Sequence, residues 1–316
     1  MKLGFNVLCY HYLRKNNDPF PRLFGTKIKD FNDHITLMKK KFNIVTLQEI
    51  NQFYYKNIPI EKGLLFSFDD GLSDQFEAAK ILEENKISGV FFIPTCILTE
   101  DIPANPIIIH YAIALHGLKN FKKKVLPIIE EKFPEQITFF KEIFTNDRIE
   151  ESITKIKNIF HYFLDPSISR NILIEIYERL VKTEGLKIED LHLTKNQIKK
   201  IVQMGHSIGT HSHSHISIGR HGINNDYILT ELINPKKILE QNFNTEIISM
   251  SYPFGEKKDC LTSKYLFEKT KSYKLAFTIE NKFNSEESSP LEIGRYMVHS
   301  TDNVEKLYKN LNFYKI

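Results

Sequence analysis

Eight short apolar runs recur along the chain: GFNVLCY (4–10), FNIVTL (42–47), GLLFSFD (63–69), GVFFIP (89–94), HSIGTH (206–211), IISMSYP (247–253), KLAFTI (274–279) and GRYMVHS (294–300). Each has strand length and is rich in Val, Ile, Phe or Tyr, which predicts strands. Helical patterns separate several of them. SDQFEAAKILEENK (73–86) is one, with Ser73 placed to cap its first turn, and KNQIKKIVQMG (195–205) is another, capped by Thr194 and ended by Gly205. Strands alternating with helices predict a parallel sheet, and in such folds catalytic groups gather at the carboxyl ends of the strands.

From about residue 105 to about residue 190 the pattern changes. PIIIHYAIALHGLKNF, EQITFFKEIF, ESITKIKNIFHYFL and ISRNILIEIYERLVK place their apolar residues at helical spacing. The expected organisation is one domain over 1–316 with a helical insertion at about 105–190. Within it LKNFKKKVLPII reads as a solvated basic helix face, with contact to a lipid-linked or membrane-surface glycan as the alternative.

Composition narrows the class. The 316 residues are 41% hydrophobic and 26% charged, the balance of a globular chain. A net charge of +4, with 39 acids dispersed among 43 bases, gives no reason to expect nucleic acid as a partner. No apolar run approaches the roughly 20 residues of a membrane span. The start, MKLGFNVLCYHYLRK, lacks a small-residue cleavage site, so the expected location is cytoplasmic, with peripheral attachment to the inner membrane as an option. Cys9, Cys96 and Cys260 are scattered and suggest neither disulfides nor a thiolate metal site.

Three stretches carry candidate chemistry. In SFDDG, Asp69 and Asp70 are adjacent like charges at the end of an apolar strand, which calls for a cation or shifted pKa values; the plain alternative is a turn with a helix cap. In GHSIGTHSHSHISIG (205–219), His211 and His215 are four apart and point the same way on a helical turn. Two imidazoles and a carboxylate with an open position form a catalytic metal site; the alternative is a polar histidine-rich loop. His213 between them reads as a bystander. SYPFG (251–255) is a strand stop and turn.

In this order, SFDDG, HSHSH and SYPFG resemble the first three motifs of the polysaccharide deacetylase family, the NodB homology or carbohydrate esterase 4 family, and VLCYH (7–11) is similar to the opening strand of one branch. The resemblance implies a distorted (β/α) TIM-like barrel and metal-dependent removal of an acyl group, usually acetyl, from an amino sugar. By it, Asp70, His211 and His215 match the metal ligands and Asp69 the catalytic base. Tyr252, Pro253 and Phe254 match the turn facing substrate, with a backbone N–H near Phe254 as oxyanion donor and the rings of Tyr252 and Phe254 against the sugar. The ion is zinc, or cobalt, nickel, iron or manganese, since two nitrogens and one oxygen suit several first-row metals.

Two positions depart from the pattern. Ser251 stands where the family often has an arginine, and Arg295 is the candidate to supply that guanidinium, with a barrel-end salt bridge as the alternative. The general acid lies between His299 and His11. His206 reads as structural, and His34, His110, His116, His161, His192 and His221 as ordinary surface or packing residues. The expected substrate is an acylated amino sugar in a polysaccharide or in a lipid- or nucleotide-linked precursor. O-deacetylation, hydrolysis of another amide, and a glycan-binding module without turnover stay open as alternatives.

Overall fold

The computed structural model describes residues 3–15, 18–144, 149–221 and 225–311. All eight apolar runs contribute strands to one sheet: β1 (Phe5–Tyr10), β2 (Asn43–Ile44), β3 (Gly63–Phe68), β4 (Gly89–Ile93), β5 (Ser207–Thr210), β6 (Ser249–Ser251), β7 (Leu275–Phe277) and β8 (Tyr296–Met297). The order is β8-β1-β3-β4-β5-β6-β7, with β2 also paired to β3. Every pairing is parallel. The sheet curls into a half-barrel surrounded by helices, the parallel sheet that the alternation predicted and the distorted (β/α) barrel that the family resemblance implied.

Parallel strands covered on both faces must bury both sets of side chains, and these do. Phe5, Val7, Leu65, Val90, Phe92, Leu275 and Phe277 pack together inside the curl. Their sequence neighbours Leu8, Tyr10, Leu64, Phe66, Phe68 and Phe91 pack outward in the larger helical cluster. The period of two carries the inner face on through Cys9 and Ser67 to His11 and Asp69, just beyond the strand ends.

β7 and β8 are not paired. The gap is spanned by one stretch of chain: Ile293 forms a parallel bridge with Phe277, while Tyr296 and Met297 pair with Leu8 and Cys9. Arg295 lies between these two attachments.

Between β4 and β5 the described chain is helical: Asn105–Lys132, kinked at Gly117 (φ 71°), then Ile137–Phe144, Ile149–Asn158, Pro166–Ile176 and Ile188–Leu191. Two wide π-type segments, Ile159–Phe163 and Tyr177–Val181, extend the second pair. Among the described residues, no helix is long and apolar enough to cross a membrane.

Thr194 forms a reciprocal capping box with Gln197, as its position predicts. Ser73 does not cap. Its hydroxyl donates to the Asp190 carbonyl (2.7 Å) and its N–H to Leu191 O (3.1 Å), so the residue ties the chain after Asp70 to the end of the helical segment.

Candidate active site

The site is built in layers from the floor of the curl upward. The rings of Phe92 and Phe277 form the floor, with the Arg295 guanidinium 5.8 and 5.9 Å from their centroids. Arg295 donates through Nε to Thr278 O (2.8 Å) and makes two parallel 2.8 Å bonds to the Asp69 carboxylate. Ser251 Oγ closes the group, accepting from Arg295 (2.9 Å) and donating to Asp69 (2.9 Å). Arg295 thus reaches Asp69 from the gap-spanning stretch, while Ser251 supplies a hydroxyl between them. Burial pushes the Asp69 carboxyl up, but Arg295 and His211 more than reverse this and hold it well below the usual range.

Beside Asp69, the chain turns sharply. Asp70 has φ 74°, and His215 and Phe254 also lie in the left-handed region (φ 68° and 62°). With Ser212 (φ 60°) that makes four side-chain-bearing residues in this costly conformation, at least one from each motif, and they mark a place where geometry is imposed by the surroundings. His211 Nδ1–H donates to Ser251 O (2.9 Å), which leaves the Nε2 lone pair directed at Asp70 Oδ1, 3.4 Å away. His215 Nε2 approaches the same oxygen at 3.4 Å.

All three residues are buried, their candidate ligand atoms lie within 4.8 Å of one another, and Asp70 Oδ1 is buried without a hydrogen-bond donor. An orphaned carboxylate oxygen facing two imidazole nitrogens fits a divalent cation. For Asp70, burial opposes ionisation, but the three neighbouring histidines pull its pKa far down. Burial lowers the His215 pKa to about 4, keeping that imidazole neutral as a ligand must be. His211 is also disfavoured by burial, but Asp69 and Asp70 raise it; the same negative field attracts a cation.

Above this group opens a cavity of about 350 Å³, lined by His11, Asp69, Asp70, His211, His215 and Phe254 and, from the helical segment, by Thr154, Lys157, Asn158, His161 and Tyr162. His11 Nε2 is 4.0 Å from Asp70 Oδ2. His299 is exposed, does not line the cavity, and uses its N–H on Asp302. The Phe254 ring stacks edge-on to His215 (4.6 Å) beside His161, and among the described residues its N–H has no hydrogen-bond partner. Tyr252 borders the cavity but is 1% exposed: its ring lies parallel to Phe267 and its hydroxyl donates to Leu291 O (3.0 Å), which leaves little of the ring face for a sugar.

The polysaccharide deacetylase sequence profile matches residues 117–267, which hold both ligand-type histidines and the SYPFG turn and begin beyond Asp69 and Asp70. Solved structures cover the rest. Streptococcus pyogenes deacetylase PplD in complex with acetate superposes with a TM-score of 0.60 at 14% identity, over 99% of this chain and 100% of that one. IcaB from Ammonifex degensii gives 0.54 at 16%, over 98% and 97%. A de-N-acetylase from Aggregatibacter actinomycetemcomitans gives 0.55 at 13%, over 97% and 99%.

Over residues 117–267 the chain is similar to the polysaccharide deacetylase family. At these identities the structural likeness is one of fold, and no curated protein sequence matches the chain.

Several groups behind the site escaped the sequence. Glu231 (4% exposed) accepts from the N–H groups of His213 (3.0 Å) and Ser214 (2.9 Å) and from the Ser214 hydroxyl (2.6 Å), clamping the loop between His211 and His215. His213 points away from the ligands, bonding Thr95 (2.9 Å) and Glu100 (2.7 Å), and Arg170 holds Glu100 from the helical segment.

Three histidines expected to be ordinary are part of the surroundings. His192 donates Nδ1–H to the carbonyls of Asp70 (3.1 Å) and Gly71 (3.2 Å) and accepts Ala104 N–H (3.3 Å), buttressing the strained turn. Burial pushes its pKa down to about 4, as an acceptor nitrogen requires. His110 and His161 line the cavity wall. Long-range contacts such as these leave no local pattern; the one available signal was the abundance of histidine in segments otherwise apolar. His206 bridges Gly89 N–H and Ala79 O inside the fold, and His34 and His116 are likewise hydrogen-bonded packing residues. The His221 side chain lies outside the described residues.

Proposed function

We propose that the chain is a metal-dependent hydrolase that removes an acetyl or related acyl group from an N-acylated amino sugar of a glycan or glycan precursor. The observation that carries this reading is the adjacency of two differently committed carboxylates. Asp69 is oriented and kept ionised by Arg295, while Asp70 shares its oxygen with His211 and His215 at the base of an open cavity.

A divalent ion held by Asp70, His211 and His215 would supply Lewis acidity toward water and the acyl carbonyl. Asp69 takes the proton from water as its oxygen bonds to the acyl carbon. Arg295 and Ser251 fix the carboxylate so that one lone pair faces the cavity. The Phe254 N–H, without a partner among the described residues, is the donor we assign to the developing oxyanion. As the C–N bond breaks, His11 delivers a proton to the amine, because it shares the cavity with Asp69 and Asp70 whereas His299 does not. The products are the carboxylic acid and a free amino sugar. Relatives of this fold include proteins described as a deacetylase and a de-N-acetylase, which supports the same reaction class.

The test is release of acetate and free amine from N-acetylglucosamine oligomers by zinc- or cobalt-loaded protein, with O-acetylated sugars and simple N-acyl amines in parallel. Asp69→Asn should lower turnover by at least about 100-fold. Turnover confined to esters or to non-sugar amides would replace this reading with one of its rivals.

A further inference from the structure

We propose that Lys157 selects a substrate carrying an oxyanion, phosphate or carboxylate, close to the acylated amino group. The inference rests on the deacetylase reading of the cavity and adds to it a class of substrate.

Lys157 comes from Ile149–Asn158 in the helical segment and lines the same cavity as Asp69, Asp70 and both ligand-type histidines. It is half-buried, and among the described residues it makes no ion pair. Burial lowers its pKa from the ordinary lysine value, with the Asp70 charge opposing. The other charges of the cavity are already spoken for. Asp69 is neutralised by Arg295, and Asp70 faces His211 and His215. Lys258, also in the lining, pairs with Glu256 at 2.8 Å and lies over the Tyr162 ring. His110, its pKa pushed down to about 3 by burial, adds no charge at neutral pH.

One ammonium therefore enters a partly desolvated cavity without an ion-pair partner among the described residues. Such a charge is costly to hold, and a divalent cation at the Asp70 group makes it costlier. A ligand that brings its own oxyanion relieves both. Lysine suits that task as a point charge with three rotatable donors, tolerant of either phosphate or carboxylate geometry.

The experiment compares wild type, Lys157→Met and Lys157→Arg, all zinc-loaded and at low ionic strength. The substrates are N-acetylglucosamine 1-phosphate, N-acetylglucosamine linked to glucuronate, and uncharged N-acetylchitotetraose. On at least one anionic substrate Lys157→Met should lose about 10- to 100-fold in kcat/KM, mostly in KM, against less than about threefold on chitotetraose. Lys157→Arg should keep the preference, and the two anionic substrates tell phosphate from carboxylate. Equal losses on charged and uncharged substrates would make Lys157 part of the common chemistry and overturn the proposal; so would no loss on either.

Calorimetric binding of the same sugars to wild type and Lys157→Met separates this inference from the reaction it rests on. If no acylated sugar is turned over, the deacetylase reading fails. Binding of the anionic sugars that weakens in Lys157→Met supports the selection, and equal binding by both proteins overturns it, whatever the turnover.

Discussion

Replacing Arg295 with methionine strips the nearly buried Asp69 of its counter-charge. The two side chains are 0% and 3% exposed, and the change removes both 2.8 Å bonds to Asp69 as well as those to Thr278 O and Ser251 Oγ. Only the Ser251 hydroxyl then remains as a donor to the carboxylate among these groups. Removing one partner of such a pair costs about 3–5 kcal/mol, a sizeable part of the roughly 5–15 kcal/mol that holds an ordinary domain together. Asp69→Asn leaves the guanidinium stranded in its turn. The double variant Asp69→Asn/Arg295→Met strands neither charge, so it should be more stable than the two single losses sum to, with a coupling energy on the order of 3 kcal/mol. Equilibrium urea unfolding of all four proteins measures this, followed by far-UV circular dichroism and by tyrosine fluorescence, since the chain has 14 tyrosines and no tryptophan. Coincident transitions license the free energies. A coupling energy below about 1 kcal/mol would refute the claim that this pair is the strut on which Asp69 is aimed.

Other expectations follow from the same geometry. Glu231→Ala should weaken Zn²⁺ binding by about 10- to 100-fold in a chelator competition, because the loop carrying both imidazoles loses its clamp; unchanged affinity would make Glu231 irrelevant to the site. His11→Gln should lower kcat by about 100-fold while metal stoichiometry stays the same, whereas loss of metal would make His11 a ligand rather than the proton donor. His34 and His206 have pKa values lowered by burial, and each accepts a hydrogen bond on one ring nitrogen. Their stabilisation is therefore complete above the unfolded value near 6.5 and drains away as pH falls through the folded values. His206→Gln should flatten the fall of urea stability on the acid side of that value, and an unaltered slope would contradict the assignment.

The sheet was legible because its signal is local. Each apolar run announces a strand by itself, although FNIVTL yields only Asn43–Ile44, the rest of the run turning into the capped helix Leu47–Lys56. Asp69, Asp70, His211 and His215 were legible because ordered motifs carry them. What could not be read was orientation. Tyr252 and Phe254 stand two residues apart and both border the cavity, yet the Tyr252 ring is stacked on Phe267 while the Phe254 ring meets His215 and His161, with the left-handed turn at Phe254 between the two orientations. Nor could the chain say that Glu231, His192 and Lys157 lie behind or above the same turn. Those contacts span separations in sequence of 17 residues for Ser214 to Glu231 and 122 for Asp70 to His192, and depend on how the helical segment folds back over the strand ends.

The direct test of the account is metal stoichiometry by elemental analysis of purified chain reconstituted with Zn²⁺ and dialysed, for wild type, Asp70→Ala, His211→Ala and His215→Ala. The account predicts one ion per chain in the first and a marked loss in each of the others. An ion retained equally by all four proteins, or taken up by none of them, would contradict it.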